Sequence, residues 1–223
     1  LQKYFQGQIE TTDPSYSNQI LVLTYPLIGS YGVPDVEQTD AHGIQSNVES
    51  SRVHIEALVV GEYVSTPSHY QSSQSLSDWL AANGVLGIEG IDTRRVTELI
   101  REHGTVSGMI TRDRKNMTVP PLLQTEGLAQ RVSTPEFYSL NAESGSPRVL
   151  IVDCGIKNNQ IRMMLDRNAA LFVTGIRDPD LDILGLIDKY DIERVFISNG
   201  PGDPRNCAHV YQSLRLCLEQ RPK

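Results

Sequence analysis

Residues 194–204 read RVFISNGPGDP. A short, largely apolar run, RVFI, leads into a stretch with two glycines and two prolines among seven residues, SNGPGDP (198–204). An apolar run bounded by turn residues is the pattern of a buried strand. The turn is open at Gly200 and Gly202, where no Cβ blocks approach to the backbone. It is stiff at Pro201 and Pro204, which fix φ and remove two donors. A helix-like stretch, CAHVYQSLRLCLEQ (207–220), follows.

Upstream, the same rhythm repeats. VLIVDCG (149–155) is a continuous apolar strand ending in a glycine turn. IKNNQIRMMLDRN (156–168) sets Ile161, Met164 and Leu165 at helical spacing. ALFVTG (170–175) reads as a second strand and DPDLDILGLIDKY (178–190) as a second helical segment, so RVFISNG is the third strand. The β-α-β-α-β alternation predicts a parallel sheet with helices on its faces, an α/β, flavodoxin-like arrangement. Ligands of such sheets gather at the carboxyl ends of the strands, where SNGPGDP sits.

The first half reads as a mixed α+β unit. ILVLTYPLIG (20–29) and RVHIEALVVGEYV (52–64) are strand-like, with loop between them. Ser75 is placed to cap a helix over LSDWLAANG, with Leu76, Trp79 and Leu80 on one face. GIEGID (87–92) is a short strand. Asp92 caps TRRVTELIREHG, with Val96, Leu99 and Ile100 on one face and Gly104 at its stop. VSGMIT (106–111) is expected to be a final strand. Residues 112–147 hold Pro120, Pro121, Pro135 and Pro147 and read as a linker. The boundary is placed near 145, giving domains 1–145 and 146–223.

The 223 residues are 39% hydrophobic, enough for a core. A net charge of −7 argues against nucleic acid as the main partner. With no run of eighteen apolar residues and no basic-plus-apolar start, no membrane or secretory role is expected. Three cysteines without a CxxC fit a reducing compartment, so a cytoplasmic location is expected. The five histidines show no metal-like spacing.

Held by its prolines, the turn offers the N–H groups of Gly200 and Gly202 at set positions. Such donors can bind a carboxylate or small polar ligand, or stabilise an oxyanion. The same residues equally serve a plain strand-to-helix connection. Ser15, after Pro14, reads by itself as an ordinary turn serine. Asp203 can cap the helix after it, and Asp153 and Asn158 read as caps on the helix that follows them. Cys217 shares a face with Val210 and Leu214, which suggests core.

VDCGIKNNQIR (152–162) followed by FISNGPGDP (196–204) resembles the opening of the class I glutamine amidotransferase domain of carbamoyl-phosphate synthetase. TDPSYSNQILVLTYPLIGSYGVPD (12–35), SSRVHIEALVV (50–60) and GIEGIDTRRVTELIREHG (87–104) resemble the N-terminal domain of that enzyme's small, glutamine-using subunit. YPLIGSYGVPD and VDCGIKNNQIR are nearest the pyrimidine-pathway form. The resemblance implies that the small part hydrolyses L-glutamine and passes ammonia to a large synthetase part, which uses ATP, Mg and bicarbonate to make carbamoyl phosphate. No cofactor is implied for this chain. It also implies that Gly200, Gly202 and Ser15 contact glutamine, a hydroxyl suiting either end of that substrate.

The family's nucleophile lies on a G-x-C-x-G turn, with a histidine and a glutamate further along. No such stretch occurs in these residues, so no catalytic residue is assigned here and glutaminase activity is not expected of this chain alone. The family's G-Y-x-E stretch before T-D-P is also lacking. Three readings follow: a fragment of the glutaminase part; a non-catalytic paralogue acting as a binding or docking module; and a generic flavodoxin-like small-molecule binder.

Overall fold

The computed structural model describes residues 8–113, 115, 118 and 126–220. The chain forms two compact units. The first comprises 1–38 and 51–124, the second 39–50 and 125–223.

In the first unit, α1 (Gln8–Thr11) and a one-turn 3₁₀ helix (Pro14–Tyr16) precede a three-stranded parallel sheet. Its strands β1 (Ile20–Leu23), β2 (Ala57–Val60) and β3 (Leu86–Ile88) lie in that order. The strand-like stretches at 20–29 and 52–64 thus pair over four residues each, Ile20 opposite Ala57 through Leu23 opposite Val60. Helix α2 (Leu76–Ala82) links β2 to β3. The Ser75 hydroxyl accepts from the Asp78 N–H at 3.0 Å, and Leu76, Trp79 and Leu80 are buried against Leu21, Leu23, Leu58 and Val60. Helix α3 (Thr93–His103) starts at Asp92, whose carboxylate accepts from the Arg95 N–H, and stops at Gly104.

Residues 106–111 form no strand. They have no ladder partner among the described residues, and Val106, Met109 and Ile110 are exposed. Branched residues alone do not make a strand, because pairing and burial decide. On α3, Leu99 and Ile100 are also exposed.

The second unit holds a four-stranded sheet in the order β4-β6-β5-β7. The strands are β4 (Tyr138–Leu140), β5 (Arg148–Asp153), β6 (Ala170–Gly175) and β7 (Arg194–Ile197). The last three are parallel, as the alternation predicts, and β4 is antiparallel to β6. A short helix, α4 (Leu128–Val132), precedes β4. The stretch read as linker therefore carries two elements, and β4 extends the sheet from residues placed before the boundary near 145.

Side chains of β5 and β6 alternate between two cores, as strand geometry requires. Val149, Ile151, Leu171 and Val173 pack with Ile161 and Leu165 of α5 (Asn158–Leu165). Leu150, Val152 and Phe172 pack with Ile183 and Ile187 of α6 (Ile183–Tyr190) and with Val210 and Cys217 of α7 (Ala208–Gln220). Both faces of the sheet are thus covered, which accounts for the unbroken apolar run of β5.

Residues 39–50 lie along α5. Arg162 donates to the Asp40 carboxylate at 2.5 Å and to the Gln45 carbonyl at 2.9 Å. The Asn158 amide donates to the Val48 carbonyl, its backbone N–H to the Glu49 carbonyl, and the Asn159 N–H to the Glu49 carboxylate. No helix among the described residues is long and apolar enough to cross a membrane.

Candidate functional site

The turn at 198–204 leaves the carboxyl end of β7, beside the turn that leaves the carboxyl end of β5. Parallel neighbours send both turns out on one side of the sheet. Gly200 sits against the backbone of Cys154: a Cβ built on it would lie 1.9 Å from the Cys154 carbonyl oxygen. Only glycine permits that approach. Gly202 has φ +87°, the left-handed region, and is exposed, while Pro201 between them is buried. The turn thus has a buried prolyl anchor flanked by two accessible glycyl backbones.

Two buried polar side chains hold this geometry. Ser198 Oγ accepts from the Cys154 N–H and donates to the Asn199 carbonyl, each at 2.9 Å. The Ser198 N–H continues the ladder to the Val152 carbonyl. Asp153 accepts from the N–H groups of Gly155 and Ile156 through Oδ1, both at 2.8 Å, and from that of Thr134 through Oδ2 at 2.7 Å.

Asp153 therefore ties the β5–α5 turn to the loop before β4 rather than capping α5. The N-cap position of α5 is Lys157, and the Gln160 side chain accepts from its N–H. Asn158 belongs to the first turn of α5, where its side chain reaches the Val48 carbonyl. Asp203 is the N-cap of the 3₁₀ turn Pro204–Cys207 and accepts from the Arg205 N–H at 2.9 Å. The Arg205 guanidinium also donates to it, and these hydrogen bonds hold its carboxyl below the usual range.

Cys154 is buried, and burial first, then the neighbouring Cys207 and Asp153, push its thiol up to about 12. Burial raises the Cys207 thiol as well. Nucleophilic cysteines need the opposite shift. Cys217 packs in the core with Val210. A cleft of about 390 Å³ lies elsewhere in this unit, between the end of β6 and α6, with Thr174, Asp178, Asp182, Lys189 and Tyr190 in its wall; the 198–204 turn does not line it.

Ser15 lies in the first unit, in the one-turn helix Pro14–Tyr16. Its N–H donates to the Asp13 carboxylate at 2.9 Å, and its carbonyl accepts from the Gln19 amide at 3.0 Å. No hydrogen bond to its hydroxyl is found among the described residues, and the residue is half-buried. Beside it, Asp13, Thr12 and His54 are buried polar groups. Burial, with the Arg52 charge second and opposed by Asp13, lowers His54 to about 4.

The structure thus assigns Gly200 and Gly202 to one turn and Ser15 to the other unit. Sequence reasoning missed Ser198 and the part played by Asp153. The signal for Ser198 was a hydroxyl at the last buried position before a glycine turn, a place where backbone donors need side-chain partners.

A mostly parallel sheet covered by helices on both faces, with a glycine-proline turn at its carboxyl rim, is an α/β architecture, and residues 150–222 match the family model for class I glutamine amidotransferases. Residues 5–110 match that for the carbamoyl-phosphate synthase small chain, CPSase domain. Together, in this order, the two matches are those of a carbamoyl-phosphate synthase small-subunit region.

It is 42% identical over 217 residues to the multifunctional protein CAD of Squalus acanthias, covering 95% of this chain and 9% of that protein. It is 34% identical over 217 residues to the arginine-specific small chain of Schizosaccharomyces pombe, covering 94% and 50%. With that of Eremothecium gossypii the identity is 40% over 196 residues, covering 86% and 48%. The chain spans about half the length of these small chains and about a tenth of the multifunctional protein.

Proposed function

We propose that this chain contributes the glutamine seat of a glutamine-dependent carbamoyl-phosphate synthase. The observation that carries the reading is the turn at Gly200 and Gly202, backbone-locked against Cys154 and accessible on its outer side. Fixed N–H donors suit the α-carboxylate of an amino acid, and the cost of ordering them is met by the fold before binding. The resemblance assigns the Ser15 hydroxyl to the same substrate. The nucleophile, its histidine and its glutamate are not assigned to any residue of this chain. The raised thiols of Cys154 and Cys207 support that reading.

The partner is a large synthetase part that consumes the ammonia, with ATP, Mg and bicarbonate bound there rather than here. The multifunctional relatives favour the pyrimidine pathway, and the arginine-specific small chains keep the arginine pathway as its alternative. The second reading, a binding or docking module without turnover, rests on the same cysteine chemistry.

Calorimetric titration of the 223-residue chain with L-glutamine, beside an ammonia assay, tests the proposal. Saturable binding that Gly202→Val removes is expected, because the added side chain blocks the seat and strains φ. Ammonia release above background would overturn the assignment of the cysteines. Absent or Gly202-independent binding would favour a generic small-molecule binder.

A further inference from the structure

We propose that Ser198 is a positioning residue for the glutamine seat: its hydroxyl, not either proline, sets the conformation of the Gly200–Gly202 turn. The inference rests on the glutamine reading above and deepens it. Proline fixes its own φ but cannot choose where the turn sits against the neighbouring loop. Two features in the structure do so.

The first is the absence of a Cβ at Gly200, which lets that backbone lie on the Cys154 carbonyl. It permits the contact but does not enforce it. The second is the Ser198 hydroxyl, which is buried and used in both directions. It accepts the Cys154 N–H and donates to the Asn199 carbonyl, one residue before Gly200. One oxygen therefore joins the two turns, and its proton orients the peptide that enters Gly200.

The other turn is itself fixed. Asp153 holds the N–H groups of Gly155 and Ile156, so the Cys154 amide is presented from a rigid loop. The order of support runs from Asp153 to the 154–156 turn, then through Ser198 to 199–202. Removing the hydroxyl leaves a buried N–H without a partner and frees the Asn199 peptide to rotate. The Gly200 and Gly202 donors would then sample several orientations, and the ligand would bear the cost of ordering them.

Amide hydrogen exchange by NMR and calorimetry with L-glutamine, on the full chain and its Ser198→Ala and Ser198→Thr variants, test this. In Ser198→Ala, exchange at Cys154 is expected to rise at least about tenfold, with Leu171 and Val173 of β6 unchanged. Glutamine affinity is expected to fall about tenfold, and Ser198→Thr, which keeps the hydroxyl, to restore most of both. Cys154 exchange equal to wild type in Ser198→Ala overturns the pin, and so does loss of protection across β6, which would mark general destabilisation. An affinity unchanged in Ser198→Ala overturns the positioning role. Absence of glutamine binding by the wild-type chain overturns the glutamine reading itself, whatever the exchange pattern.

Discussion

At Gly200 the packing leaves room for a hydrogen and nothing larger. The obstacle is the Cys154 carbonyl, a backbone atom that cannot rotate aside. Gly200→Ala is expected to cost about 2 kcal/mol or more in chemical denaturation, because the two turns must separate. Gly202→Ala meets a different penalty, the left-handed φ, of about 1–2 kcal/mol. Glutamine binding should fall in both. A fall in binding without the stability loss at Gly200 would contradict the interlocked turns. The thiols give a third check at this scale. With Cys154 pushed up to about 12 by burial, iodoacetamide at pH 8 is expected to leave it unmodified in the folded chain, as read by mass spectrometry. Rapid native-state alkylation would show an exposed thiolate where the structure has a buried thiol. That the glycines mattered was legible from their spacing between prolines. The reason for Gly200 was not, because the carbonyl it rests on belongs to a residue 46 positions earlier in the sequence.

At the scale of elements, the strongest local claim concerns α5 and residues 39–50. The Arg162–Asp40 pair is 17% and 16% exposed, and Arg162 also serves the Gln45 carbonyl. Removing the arginine takes the partner from Asp40 Oδ2 and from the Gln45 carbonyl in a mostly dry place, while Asp40 Oδ1 keeps the N–H groups of His42 and Ile44. Arg162→Ala is expected to lose about 2–3 kcal/mol, a little below the range for fully buried pairs. The stability should be measured against the double variant with Asp40→Asn, whose carboxyl charge is gone. Additive losses would show that the two side chains do not interact.

Strands β5 and β6 were legible because both sheet faces are buried there, and α5 to α7 because each has one apolar stripe; β7 is a strand as read but not a buried one, since it is the sheet's edge and its residues are half-buried or exposed. The caps Ser75 and Asp92 were legible from residue type and position alone. Helix α4 and strand β4 were not, being short and set among Pro120, Pro121, Pro135 and Pro147, and stabilised by packing and by pairing with β6. The 39–50 segment was unreadable for a related reason. Its order comes from hydrogen bonds to a helix more than a hundred residues later, and its own sequence has no period. VSGMIT failed in the other direction, having strand composition without a strand neighbour among the described residues.

For the whole molecule, the clearest prediction is the pH dependence of stability. His54 has an ordinary value of 6.5 and is lowered to about 4 by burial and the Arg52 charge. A lowered base stays neutral in the fold while the unfolded chain takes up a proton. Stability is therefore full above about pH 6.5 and falls as pH drops towards 4, by at most about 3 kcal/mol. Below that, Asp40 adds a second loss. Burial raises its carboxyl, but the hydrogen bond from Arg162 and the N–H groups of Ile44 and His42 outweigh it and hold it below 3.8. Its contribution is present above that value and is lost as pH falls through the lowered one. Thermal melts from pH 7 to pH 3 should show both stages, and His54→Gln should flatten the first. A first stage unaffected by His54→Gln would assign it to another group.

The measurement that bears most directly on the glutamine seat is a titration of the isotope-labelled chain with L-glutamine, followed by NMR. The amides of Gly200 and Gly202 are expected to shift along one binding curve with a single affinity, and D-glutamine to leave them in place. Shifts confined to other residues, or responses of the two glycines with different affinities, would contradict a seat built from this turn.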